Sequence, residues 1–240
     1  MIQVVSNPTL ILHRADEFEL PPLDIGSESD LYRLFAQYAD HEVPTKFLLA
    51  VERVKKRVEE GKKTIVWTSF VHNLRMLANL LLDFQPIVLY GGVPTALEGA
   101  EPEEGTREAL IKRFKEDPEC QVMRANPAAC GESISLHTVC DYALYLDRTF
   151  NAGHFLQSMD RIHRLGLPRT ARVTYELLVT KGTIDEVVDQ RLGVKVRKLA
   201  SILDDHGLVT LVLDVDDPRE DEEFDREDAD RVMAFLTQRR

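Results

Sequence analysis

The sequence predicts a doubly wound α/β domain, a mostly parallel sheet with helices on both faces. Three observations carry this. Apolar strand-like runs alternate with amphipathic helical runs at close spacing through most of the chain. The strand-like runs are apolar at consecutive positions rather than every second one, as strands covered on both sides require. The 240 residues, 44% of them hydrophobic, suffice for one good-sized domain with appendages.

The elements follow in order. Residues 1–43 read as a helical lead-in: MIQVVSNPTLIL is an apolar helical or extended piece, like the tail of something that began earlier, and 28–40 (ESDLYRLFAQYAD) has helical periodicity. The regular domain spans 44–205. It opens with PTKFLLAVERVKKRVEEG, an amphipathic helix with Pro44 at its start and Gly61 just past its end. KTIVWTSF (63–70) is a buried strand that places Trp67 in the core, and VHNLRMLANLLLDF is a helix. PIVLYGG (86–92) is a strand, followed by an acidic loop and the helix TREALIKRFKED, which Pro118 stops. CQVMRANP (120–127) is a strand leading into the loop AACGES, and YALYLDR (142–148) is the next strand. The helix AGHFLQSMDRIHR, the strand RVTYELLVT (172–180) and the long helix TIDEVVDQRLGVKVRKLASILDD complete the domain. Residues 206–240 are expected to form an acidic linker with a short terminal helix at 228–238.

Charge and cysteine usage bound the function. The net charge is −11, but residues 214–230 hold eleven acids and two arginines, which leaves −2 for the rest. The body is therefore near neutral, with an acidic, solvated stretch attached. Basic clusters remain at Lys55–Arg57, Lys62–Lys63, Arg161–Arg164 and Lys195–Lys198. Cys120, Cys130 and Cys140 are odd in number and form no CxxC pair, so neither a disulfide framework nor a zinc site is expected. No signal peptide is evident, and no apolar run approaches the roughly 18–20 residues of a membrane span. The expectation is a cytoplasmic monomer without a membrane partner or a metal ligand set.

In doubly wound sheets, ligands sit beyond the carboxyl ends of the strands. The candidate segments are Thr68–Phe70, Tyr90–Gly92, Ala125–Ser135 and Asp147–Asn151. In 157–166 (QSMDRIHRLG), Gln157, Arg161 and Arg164 recur at i, i+4 and i+7, one stripe of a helix. Guanidiniums are always charged and costly to bury unpaired, so this stripe is either wet or aimed at an anion. GKKT (61–64) invites a phosphate-loop reading but fails it, because Lys56 stands where the first glycine is needed and Lys63 where Ser or Thr is. Cys130 and His137 suggest a nucleophile–base pair, yet no third group orients them, and packing is the simpler reading.

Together these segments resemble the second, C-terminal RecA-like lobe of the Swi2/Snf2 group of superfamily 2 helicase-like ATPases. KTIVWTSFVHNLRMLANLL is similar to motif IV, ANPAACGESISL to motif V, and YALYLDRTFNAGHFLQSMDRIHRLG to a strand running into motif VI, Gln-x-x-x-Arg-x-x-Arg-x-Gly. RVTYELLVTKGTIDEVVDQRL resembles the last strand and the brace helix after it, so the resemblance covers about residues 40–205 in order. Departures are Ser133 in place of a motif V glycine, Phe150–Asn151–Ala152 where the group has Trp-Asn-Pro, and Leu167 in place of a glutamine.

The resemblance implies a motor lobe that acts on duplex DNA with ATP and Mg²⁺. Arg161 and Arg164 become arginine fingers toward the γ-phosphate. Gln157, Gly131 and Glu132 lie beside the nucleotide, and Thr68, Ser69, Phe70, Asn126 and Ser133 face the DNA backbone. The phosphate cradle and the Mg²⁺-binding acidic box are not found in the sequence. ATP is thus expected to be held mainly by an N-terminal RecA-like partner lobe, and this chain alone is expected to be inactive. The rival expectation is a non-catalytic binding or regulatory module of RecA-like fold.

Overall fold

The computed structural model describes residues 2–12, 26–96, 101–130, 134–163, 172–202 and 225–237. Its centre is a sheet of five parallel strands: β1 (Thr64–Trp67), β2 (Ile87–Leu89), β3 (Val122–Ala125), β4 (Tyr142–Tyr145) and β5 (Thr174–Leu177), in the order β2-β3-β1-β4-β5. The register sets Ile65 against Met123 on one side and Ala143 on the other. β1, β3 and β4 are buried at every position, which is why they read as unbroken apolar runs. β5 is an edge strand, and its residues are only partly covered.

Alternate side chains of the central strands feed two cores. Ile65, Trp67, Met123, Ala125, Ala143 and Tyr145 pack with Phe114 of α5 (Arg107–Glu116) and Phe155 and Met159 of α6 (Ala152–Asp160). Val66, Val122, Tyr142 and Leu144 pack with Phe47, Ala50 and Val54 of α3 (Thr45–Glu59) and Leu77 of α4 (Val71–Leu80). Helices therefore cover both faces, as expected. The sheet is wholly rather than mostly parallel.

Local chemistry sets the helix ends. α3 begins after Pro44, and Gly61 beyond it takes the left-handed φ of 71°. Asn151 caps α6 by accepting from the His154 amide at 2.9 Å. The lead-in consists of α1 (Ile2–Ser6), a 3-10 turn over Pro8–Leu12, and α2 (Asp30–His41), whose cap Ser29 accepts from the Tyr32 amide.

α7 (Ile184–Ile202) forms a third apolar cluster with Phe150, with Ile2 and Val5 of α1, and with Val232 and Phe235 of α8 (Arg226–Thr237). A buried ion pair between Lys46 and Asp185 ties α3 to the start of α7.

α8 corrects one expectation. The acidic stretch 214–230 is expected to be a solvated linker running into a short helix at 228–238, but Asp225 and Asp228 dock onto α7. Arg191 Nε donates to Asp228 at 2.6 Å, and Lys195 Nζ donates to the same carboxylate at 2.6 Å. Asp228 is completely buried. The part of the stretch before Asp225 lies outside the described residues. No helix among the described residues is long and apolar enough to cross a membrane.

Candidate nucleic-acid interface and nucleotide-facing arginine

The connection after β1 runs through α4 on one face of the sheet, and the connection after β4 runs through α6 on the other. Adjacent strands whose connections leave in opposite directions open a crevice at their carboxyl ends. Here that crevice is a cavity of about 270 Å³ lined by Ser69, by Asn126–Ala128 after β3, and by Tyr145, Arg148, Thr149, Asn151, His154 and Phe155.

The turn after β1 is fixed by Asp147, the second residue past β4. Its carboxylate accepts from Thr68 Oγ1 at 2.6 Å, from the Ser69 amide at 2.7 Å and from Asn73 Nδ2 at 3.0 Å. Burial pushes the Asp147 carboxyl up, and these donors oppose that shift. Asn73 continues the network into the lead-in: it donates to Ser6 Oγ at 3.2 Å and accepts from Asn7 Nδ2 at 3.0 Å.

This arrangement divides Thr68, Ser69 and Phe70, three of the five residues expected to meet the DNA backbone. The Thr68 hydroxyl is spent on Asp147, and Phe70 is buried in the body. Ser69 lines the cavity. Asn126 joins it there. Its Nδ2 donates to the Ser69 carbonyl at 2.9 Å, and its Oδ1 accepts from the Ala128 amide at 2.8 Å, which starts the 3-10 turn Pro127–Cys130. Arg107 of α5 holds the far side of that turn by donating to the Ala129 carbonyl at 2.6 Å. Gly131, Glu132 and Ser133, which follow, lie outside the described residues.

Arg161 departs from expectation in its surroundings. α6 ends at Asp160. Arg161 is the C-cap, and it is only 3% exposed, so it does not lie on a wet face. Its Nε donates to the Gln157 carbonyl at 3.1 Å and its Nη1 to the Ile134 carbonyl at 3.3 Å. Its own carbonyl accepts from the Leu136 amide at 2.8 Å. The helix end and the segment after the AACGES loop are thus stitched together. Gln157 is half-buried, and Arg164 lies outside the described residues.

Around His137, the Nδ1 atom meets Ser135 Oγ at 2.6 Å, and nothing is described of the Cys130 side chain. Burial raises the Cys140 thiol to about 12 and raises Cys120 as well, so both are packing residues rather than nucleophiles.

Asn73, Arg107 and His154 lie outside the segments the sequence singles out. Asn73 and Arg107 bond partners distant in the chain, and no local pattern marks them.

No family model matches the chain. It is 26% identical over 219 residues to the chromatin-remodeling ATPase INO80 of Mycosarcoma maydis, a match covering 83% of this chain and 11% of that protein. It is 29% identical over 169 residues to the human lymphoid-specific helicase, covering 68% of this chain and 19% of that one. Human TATA-binding protein-associated factor 172 is 33% identical over 110 residues, 46% of this chain and 6% of its own. The chain thus spans under a fifth of the length of these relatives. Among solved structures, the C-terminal part of the Fun30 ATPase domain superposes with a TM-score of 0.52 at 19% identity, over 80% of this chain and 65% of that one, in agreement with the fold. The chain is thus similar in sequence to Snf2-type ATPases and similar in fold to the C-terminal part of one such ATPase domain, in agreement with the resemblance to the C-terminal RecA-like lobe of the Swi2/Snf2 group.

Proposed function

We propose that the protein is the second motor lobe of a Snf2-type, ATP-dependent translocase on duplex DNA. In this reading an N-terminal RecA-like lobe holds most of the ATP and its Mg²⁺. This lobe adds Arg161 and Arg164 toward the γ-phosphate, with Gln157, Gly131 and Glu132 near the nucleotide. Ser69, Asn126 and Ser133 meet the DNA backbone, while Thr68 and Phe70 hold the turn that presents them. Bound ATP would close the two lobes across itself, bringing Arg161 and Arg164 to the γ-phosphoryl group that is then transferred to water. The described side chains fit the phosphate end of that ligand, since they offer guanidinium and amide donors. Among the described residues there is no cluster of His, Cys, Asp or Glu to hold the metal.

The observation that carries the reading is the stitching of Arg161 to residues 134–136. An arginine on the nucleotide side is bonded directly to the segment that follows the expected DNA-facing loop. A shift of either is then transmitted to the other without passing through a flexible linker. That is the coupling a translocating lobe needs.

The test is ATP turnover, with and without duplex DNA, by this chain joined to a first RecA-like lobe. DNA should accelerate turnover, and Arg161→Ala should lower kcat by about 10³-fold or more, with little recovery in Arg161→Lys. If the joined protein is inert toward ATP, or Arg161→Ala turns over like the parent, the lobe is a binding module that hydrolyses nothing.

A further inference from the structure

Arg148 and His154 line the cavity at the β1–β4 crevice, and the proposed function assigns them no role. The geometry points to this cavity as a seat for one backbone phosphate of duplex DNA, held by Arg148 and His154 with Ser69 and Asn151 beside them. This rests on the motor-lobe reading and adds to it a specific anchor.

The lining chemistry favours an anion. The cavity lining contains a guanidinium, an imidazole, three hydroxyls and two carboxamides, and no carboxylate. α6 points its amino end at the cavity, since Asn151, His154 and Phe155 all line it, and the helix dipole adds positive potential there.

Arg148 is preset for the task. The residue is only 9% exposed, its guanidinium lies 5.7 Å from the centre of the Phe155 ring, and Nη2 bonds Asp189 at 2.7 Å. Asp189 is half open to solvent, and it engages one nitrogen of a group that carries five donors. A phosphate entering from the cavity side meets the remaining donors of a side chain whose rotamer is already fixed, so little conformational entropy is lost on binding.

The location favours DNA over nucleotide. Arg161 stands at the opposite end of α6, about 14 Å away along the helix axis. A γ-phosphate at Arg161 therefore leaves the cavity free. The cavity shares Ser69 and Asn126 with the rim proposed to track the DNA backbone. Its volume of about 270 Å³ takes a phosphodiester and its sugar, not a duplex, so the backbone would dip one phosphate inward.

The experiment is fluorescence anisotropy of the full chain with a labelled duplex oligonucleotide across a salt series, with thermal unfolding as a check on folding. Arg148→Gln is expected to weaken binding about tenfold at low salt and to make the log K against log salt slope shallower by about one. His154→Gln is expected to weaken it about threefold, and Arg148→Lys to keep most of the slope. Asp189→Asn, which leaves Arg148 in place and removes the carboxylate charge that competes with a phosphate for it, is expected to tighten binding and covers the case in which Arg148→Gln unfolds. If Arg148→Gln and Asp189→Asn both bind like the parent while Asn126→Ala weakens binding, the seat is overturned and the motor-lobe reading stands. If the unaltered chain binds no duplex DNA even at low salt, both fall.

Discussion

Arg124 shows how much a single residue can depart from the pattern around it. It sits on β3, buried at the centre of an otherwise apolar face, and donates to the Leu74 carbonyl of α4. Its Nε has no acceptor among the described residues. Burial lowers its guanidinium to about 10. A buried cation without a carboxylate partner costs more in lost hydration than one or two carbonyls return. Arg124→Met keeps the length of the side chain and removes the charge, so it should stabilise the fold by about 1–2 kcal/mol in urea unfolding. A loss of stability instead would mean that the cation answers a group beyond those described. Thr68 makes the opposite point about what a sequence conceals. A hydroxyl at a strand end reads as a phosphate contact, yet this one is committed to Asp147, 79 residues away in the chain. No local pattern encodes that partner. The candidate site was therefore legible only as a set of strand-end segments, and which side chains face outward was not.

Elements were more legible than their partners. Every strand and helix of the regular domain falls where alternating apolar runs placed it, because both-face burial leaves an unbroken signature that solvent-facing segments lack. The strands are shorter than the apolar runs, at their carboxyl ends above all, where the side chains of Thr68 and Asp147 bond each other. α8 is where reading by composition went astray. A run of acids reads as solvated, but Asp225, Glu227 and Asp228 meet Arg191 of α7, and Asp225 and Asp228 also meet Lys195. Burial pushes the Asp225 carboxyl up, but the Asp228 amide, Lys195 and Arg191 outweigh it and hold the carboxyl below the usual carboxylate range. A carboxyl depressed in the folded state stabilises above its unfolded pKa and loses that contribution as pH falls through its folded one. α8 should therefore loosen as pH falls below about 4 while the sheet persists. Hydrogen exchange read at several pH values checks this: amides of 226–237 should lose protection before those of β1 and β3. Arg191→Met should produce the same early loss at neutral pH, because it leaves Asp228 buried with only Lys195 as a cationic partner. Simultaneous loss of protection in α8 and the sheet would show α8 to be part of the core instead.

At the scale of the whole molecule, the question is whether the lead-in is a passive extension or part of the working body. Two features join it. Ile2 and Val5 pack into the cluster built by α7, and Asn73 links Ser6 and Asn7 to Asp147. The second link is polar, fully buried, and shared with the turn that presents Ser69 to the cavity. A buried network of this kind is stable only when complete, because each donor removed leaves an acceptor unpaired in a low-dielectric setting. Asn73→Ala removes three of these bonds at once and leaves the Asp147 carboxylate with two donors instead of three. It should cost about 2–4 kcal/mol in chemical denaturation. Its more telling effect should be spatial. Amides in residues 2–12 should lose exchange protection, and with them Ser69 and Phe70, although the chain separates the two segments by more than fifty residues. Asn73→Leu, which restores volume without the amide, should rescue part of the packing energy and none of the coupled protection. If 2–12 loosen while the Ser69 turn stays protected, the lead-in is merely packed against the lobe. If both loosen together, any segment that pulls on the lead-in also pulls on the rim of the proposed DNA interface, and the polar thread through Asn73 is how that force arrives.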